Sequence, residues 1–245
     1  MKKPYDSKRF LLASIGAINL LASTSMANLI IDTRPSATAT ISPFGLGHNA
    51  TFGQTITVPL TDSSLESFTL QMKQNLANNI IQCAAYVFAW DAINSRATGP
   101  AIFSSSPLSL TATMQDYTFN TGGLALTPGG QYVLFASTSL FPGQSSSGMW
   151  SFSTADAYSG GSFVYLANGI DSSKWTTATW NTSHANGDAG FQVVFAPVPE
   201  PSTWMAGMLL LLPFGVTSIR RVTQRMRGSG WFARRQTTST KGNEI

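Results

Sequence analysis

A single cysteine, Cys83, stands among 245 residues, so no intrachain disulfide can brace this chain. Histidine is almost as scarce. His48 and His184 are the two present, and no H-E-x-x-H, C-x-x-C or G-x-S-x-G pattern occurs. The common signatures of metal-dependent hydrolysis, dithiol chemistry and a nucleophile elbow are therefore missing. GQSSSG at 143–148 has the wrong spacing for such an elbow and reads as a flexible loop. Charged residues make up 11% of the chain, well under the ~25% usual in soluble domains. Ahead of the C-terminal tail there is one glutamate, Glu66, and most aspartates, such as Asp32, Asp62 and Asp171, sit in turn-like or cap-like contexts. A glycosidase needs two carboxylates flanking the scissile bond, and this supply is thin. A secreted hydrolase is accordingly the weakest functional reading. Long 3.6-residue periodicities and internal repeats are also missing, which argues against helical bundles and solenoids.

The charge that is present is unevenly placed. The net charge of the whole chain is +4. Lys2, Lys3, Lys8 and Arg9 outweigh Asp6 in residues 1–27, and seven bases outweigh Glu200 and Glu244 in 199–245. Residues 28–198 hold four bases, Arg34, Lys73, Arg96 and Lys174, against eight acids, a net −4. The basic balance thus belongs to the two ends. The middle carries no basic patch, so no nucleic-acid partner is expected.

Both ends read as targeting segments. After the basic start, 10–21 is an apolar run, and Ser25-Met26-Ala27 places small residues at −3 and −1. This predicts a signal peptide over 1–27, cleaved before Asn28. Near the other end, Pro199 and Pro201 fix an extended, exposed backbone around Glu200 in Val198-Pro199-Glu200-Pro201. Residues 202–219 follow, 18 residues without charge. As a helix they would span roughly 27 Å, close to the ~30 Å hydrocarbon core. Trp204 lies at the outer edge, and Pro213 is tolerable in a membrane helix. Arg220, Arg221, Arg225 and Arg227 come next and place the following residues in the cytoplasm.

This order of parts over 198–227 resembles the PEP-CTERM sorting signal of Gram-negative, exopolysaccharide-producing bacteria. The resemblance implies recognition by an exosortase, removal of the tail, and release or attachment at the cell surface. The precursor would be held in the inner membrane with its domain in the periplasm. Residues 228–245 continue as a polar cytoplasmic extension, longer than the family usually shows.

Residues 28–197 predict an all-β domain. Short strand-like runs recur at 28–32, 51–58, 67–73, 80–90, 117–120, 131–138, 161–166 and 190–195, separated by turn residues. Phe68, Leu70 and Met72 alternate with polar residues, as do Phe191, Val193 and Phe195. Pro128-Gly129-Gly130 is a strong turn before QYVLFAST. A helix over 65–81 is the local alternative, but Asn75, Asn78 and Asn79 are weak helix formers. The run NIIQCAAYVFAW reads as a strand buried on both faces, with Cys83 a small core residue. The serine-rich stretches 104–109 and 145–147 read as loops. Eight or so such strands predict a single β-sandwich of jelly-roll type. TFGQTITVP, LTPGGQYVLF, YSGGSFVYLANG and DAGFQVVF also resemble, in layout, a β-sandwich domain often attached to PEP-CTERM tails. That resemblance implies a fold and an extracellular setting, and no established activity.

Tyr158, Tyr165, Trp175 and Trp180 fall within 23 residues, interleaved with Asn, Ser, Thr and Gly. Aromatic faces can stack on sugar C–H groups, so these four are the candidates for glycan contact; otherwise they are core or loop anchors. Asn186-Gly187-Asp188 and Asn168-Gly169-Ile170-Asp171 offer oxygens to calcium, but two Asx-type turns fit them better. Thr38/Thr40 and Thr176/Thr177/Thr179 are too short for a threonine array. The expectation is a non-enzymatic exported protein of the cell surface or extracellular matrix, with no cofactor or metal. Its expected partners are an exosortase, the membrane, and exopolysaccharide or another glycan. A carbohydrate-binding module is the next reading.

Overall fold

The computed structural model describes residues 27–75, 80–144 and 147–197. The predicted signal peptide, apart from Ala27, and everything from Val198 onward lie outside these residues, including the Pro-Glu-Pro motif, the apolar segment 202–219 and the arginines. The chain divides into two units between Val198 and Pro199, and the described residues belong to the first. Among them, no helix is long and apolar enough to cross a membrane.

Thirteen strands follow in chain order: β1 (Leu29–Asp32), β2 (Ala39–Phe44), β3 (Thr51–Thr57), β4 (Ser64–Gln74), β5 (Gln82–Asp91), β6 (Arg96–Ser104), β7 (Leu108–Ser109), β8 (Gln115–Ala125), β9 (Gln131–Ser137), β10 (Gly148–Ser153), β11 (Phe163–Leu166), β12 (Asp188–Ala189) and β13 (Phe191–Ala196). They form two antiparallel sheets. The first has the long β4 near its middle, with β8 on one side and β13 and β10 on the other; β1 and β2 flank these in turn, and β12 lies beside β10. The second runs β11-β3-β9-β5-β6, with β7 on β5. The domain is a β-sandwich.

Side-chain alternation builds the layer between the sheets. Phe68, Leu70 and Met72 of β4 and Phe191, Val193 and Phe195 of β13 are all fully buried there. Phe52 of β3 meets Phe163 at 5.1 Å and Trp150 at 5.7 Å, both edge to face, the geometry favoured by aromatic quadrupoles. The opposite face of the first sheet is polar. Thr69 and Thr118 share a 2.8 Å hydrogen bond, and the Gln192 amide donates to Asp32 at 3.0 Å. Arg34 bridges Asp32 and Asp116 there and holds the Asp32 carboxyl below the usual carboxylate range.

The second sheet is buried on both faces around its centre. Its outward side carries Tyr86, Phe88, Val133, Phe135, Val164 and Leu166, and Trp175 and Trp180 pack on them. These tryptophans come from a long segment after β11 that includes the single helical turn α1 (Lys174–Thr177). Cys83 through Phe88 is therefore an unbroken buried run, as the apolar sequence of β5 requires. Cys83 is a core residue, and burial pushes its thiol up to about 12. A thiol held protonated in this way is a poor nucleophile.

β4 continues to Gln74 as a strand, so no helix forms over 65–74. β2, β6, β7, β10 and β12 are strands beyond those the sequence pattern predicts; β7 falls inside the serine-rich stretch that reads as a loop. β6 contains Gly99-Pro100. In the structure its register with β5 jumps between Thr98 and Phe103, and Gly99 has φ 72. The pair lies in a bulge of an edge strand, where a missing N–H is harmless.

Candidate functional site

Beyond the tryptophan cover, the outward face of the second sheet continues as a polar shelf. Thr57 stands opposite Gln131 on β9, and Ala89 stands opposite Tyr132. Strand alternation then brings Thr57, Gln131 and Trp90 into one outward row. Over this row lies a shallow, open cleft of about 390 Å³. Its walls are the turn after β5 (Ala92 and Ser95), the segment 159–162, and Thr182 with Ala185. No charged residue lines it.

Several lining groups are hydrogen-bonding atoms with no partner among the described residues. The Trp90 indole N–H, the Gln131 amide, and the hydroxyls of Ser95, Ser159, Ser162 and Thr182 bond to no other described residue. The frame around them is fixed. Segment 159–162 is laid along β3: the Thr57 hydroxyl donates to the Gly160 carbonyl at 2.7 Å, the Ser162 amide to the Thr55 hydroxyl at 2.8 Å, and the Thr55 amide to the Ser162 carbonyl at 2.9 Å. A Cβ on Gly161 would collide with the Thr55 carbonyl, so glycine is required for this approach. Trp90 is half-buried and meets Trp180 edge to face at 5.6 Å. Trp180 is itself locked, its indole donating to the Trp175 carbonyl at 2.8 Å and its amide to the Ser95 carbonyl at 2.7 Å.

The four aromatics singled out from sequence do not form one surface. Trp175 and Trp180 are 6% and 1% exposed, so neither offers a ring face to a sugar. Trp175 also donates to Thr51 at 3.1 Å, inside a buried network of Thr51, Ser137, Ser139 and Asn168. Tyr165 packs on the inner core cluster, on the face of β11 opposite Val164, and its hydroxyl pairs with Ser183 at 3.0 Å. Tyr158 is an anchor for the cleft wall. Its half-buried ring packs on Phe191, and its hydroxyl accepts from the Thr57 amide and donates to the Thr57 carbonyl, each at 3.1 Å. Trp90, half-buried, takes the cleft-facing aromatic position instead. Sequence placed it at the end of a buried strand; the signal in hindsight is that it falls where β5 outruns its cover.

Tyr158→Phe removes both bonds and leaves the Thr57 amide without them. The expected loss is about 1–2 kcal/mol. Thermal unfolding followed by circular dichroism should show a midpoint lower by about 2–4 °C per kcal/mol for a domain of this size.

The two Asn/Asp-bearing segments are turns or structural nodes. The Asp171 amide bonds to the Asn168 carbonyl at 3.0 Å, and the Asp171 carboxylate accepts from the Ser173 hydroxyl at 2.6 Å and, with a smaller effect, from the Ser173 amide at 3.1 Å, which lower its pKa. Asp188 is buried and joins the sheets. Its carboxylate accepts from Gln54 of β3 at 2.7 Å and from the Ala157 and Tyr158 amides at 2.8 and 2.9 Å. Burial nonetheless pushes this carboxyl above its ordinary value. No group of three or more metal-ligating side chains occurs among the described residues. His48 and His184 are exposed, and neither ring is hydrogen-bonded to a described aspartate or serine.

No protein-family model matches this chain. No curated protein matches it either. Among solved structures, it is similar to the clostridial cysteine protease Cwp84 after propeptide cleavage, at 8% identity and a TM-score of 0.42, covering 70% of this chain and 40% of that one. It is likewise similar to the cysteine protease and lectin-like domains of Cwp84, a surface layer associated protein of Clostridium difficile, at 9% identity and a TM-score of 0.39, covering 65% and 36%. This chain spans less than half the length of either, and likeness of that degree carries no weight for its activity or ligand.

Proposed function

We propose that this chain is a non-enzymatic exported protein, sorted through a PEP-CTERM signal and placed at the cell surface or in the extracellular matrix. The observation that carries the reading is the order Val198-Pro199-Glu200-Pro201, uncharged 202–219, then Arg220, Arg221, Arg225 and Arg227. An acidic domain between two basic ends agrees with it, because the bases sit where export and membrane retention use them. The domain is read as jelly-roll-like: its chain passes to the other sheet between β2 and β3, β3 and β4, β4 and β5, β7 and β8, β8 and β9, β9 and β10, β10 and β11, and β11 and β12. The partners that follow are an exosortase and the membrane.

A chain ending at Pro197 is the test. Expressed in an exosortase-bearing host, the full chain should appear as a membrane-held precursor and a shorter mature form, with mass spectrometry placing the new N-terminus at Asn28. The truncated chain should appear as soluble protein alone. Membrane fractionation that the truncation leaves unchanged would remove the anchor, and a mature mass that retains the whole tail would remove the processing step.

A further inference from the structure

We propose that the Trp90 cleft is a binding site for a neutral polysaccharide, gripped along one face of the chain. The proposal rests on the exported reading for where such a ligand is met, but its chemistry comes from the cleft alone. Sugars present polarised C–H groups on one face and hydroxyls around the rim. An indole offers the negative ring face that suits the first, and Trp90 lines the cleft half-buried. The second need is met by six groups that bond to no other described residue: the Trp90 N–H, the Gln131 amide, and the hydroxyls of Ser95, Ser159, Ser162 and Thr182. Amides and hydroxyls both donate and accept, as sugar hydroxyls do.

The lining also decides the charge of the ligand. No Lys, Arg, Asp or Glu lines the cleft. A uronate, sulfate or phosphate would lose its water there without a cation in return. Residues 28–198 carry net −4, which disfavours a polyanion further. Length follows from shape. The cleft is shallow and open, so it covers a ligand from one side, whereas typical small-molecule pockets bury ~70–90% of theirs. Such a shape suits part of a longer chain lying along it.

The cleft is also pre-organised. The 159–162 wall is tied to β3 by backbone and hydroxyl bonds, and Trp90 leans on Trp180, whose indole and amide are both bonded. Little ordering is left for binding to impose, which favours affinity in a shallow site.

The test is affinity electrophoresis of the full chain in a detergent without a sugar headgroup. The gels contain cellulose-derived β-glucan, dextran, galactan, mannan or xylan, with alginate as the acidic polymer. Retardation by at least one neutral polymer and none by alginate is expected. Trp90→Ala should weaken it about tenfold, equivalent to 1.4 kcal/mol, and Trp90→Phe should restore part of that. Gln131→Ala, at an exposed position away from the core, should weaken it severalfold with an unchanged melting curve. If Trp90→Ala fails to fold by circular dichroism, the Gln131 variant decides. No retardation in any neutral polymer overturns the proposal. So does equal retardation by alginate, or binding that folded variants leave intact. None of these outcomes depends on the tail, so a chain that binds glycan yet is never processed would separate this site from the sorting signal.

Discussion

Trp180→Ala is expected to destabilise the domain by about 3–5 kcal/mol, the range for truncating a buried large aromatic. Trp180 is 1% exposed and meets Phe135 at 5.3 Å and Trp90 at 5.6 Å, both edge to face. Its loss opens a cavity under the segment that covers the second sheet. It also leaves the Trp175 carbonyl without the donor that reaches it at 2.8 Å. Set against a total stability of ~5–15 kcal/mol, this is a large fraction. Thermal unfolding of the full chain should show a midpoint lower by on the order of 10 °C. Trp90→Ala should shift it much less, since Trp90 is half-buried and caps the cluster's rim. Equal shifts for the two variants would mean that Trp90 is scaffold, and the cleft would lose its reason for an exposed indole.

The contrast between these tryptophans marks where sequence reading succeeds and where it stops. Period-2 alternation at Phe68, Leu70 and Met72, and again at Phe191, Val193 and Phe195, states both a strand and its buried face, because one face of each strand meets the core. The uninterrupted apolar run of β5 states burial on two faces. It does not state what covers the second face. That cover comes from Trp175 and Trp180, almost ninety residues later, and no local pattern couples them to Tyr86 or Phe135. Read locally, four aromatics among polar residues look like one surface. Tertiary packing divides them into two plugs on the outer face of the second sheet, one wall anchor and one ring, Tyr165, on the inner core. β10 is hidden in the sequence for a related reason. GMWSFS alternates Trp150 and Phe152 with Met149, Ser151 and Ser153, but small polar residues on its outward side look like the continuation of the preceding serine-rich loop.

Asp188→Asn carries the other large expected effect, about 1–3 kcal/mol, and its pH dependence is the sharper measurement. Gln54 accepts the Ala189 amide at its oxygen, at 2.9 Å, which fixes its NH2 toward Asp188. The carboxylate therefore faces donors on both oxygens: Gln54 on one, the Ala157 and Tyr158 amides on the other. An asparagine there must turn its own NH2 toward one set, leaving donor against donor in a buried site that joins the two sheets and the wall of the cleft. The charge acts in the opposite sense. Burial raises the Asp188 pKa above the unfolded carboxylate value, so the folded state binds this proton more tightly. Its contribution to stability is full below the unfolded pKa, near ~3.9, and fades as pH rises through the folded one. Asp32, lowered chiefly by Arg34, contributes in the reverse direction, its stabilisation present above that range and lost as pH falls. Asparagine removes the first dependence and leaves the second. The deficit of the variant relative to the parent chain should then be largest near pH 4 and shrink toward pH 7, read from melting midpoints across that range. A deficit independent of pH would show that the three hydrogen bonds offset the burial completely. A deficit that grows with pH would show that they outweigh it, making Asp188 a stabilising anion.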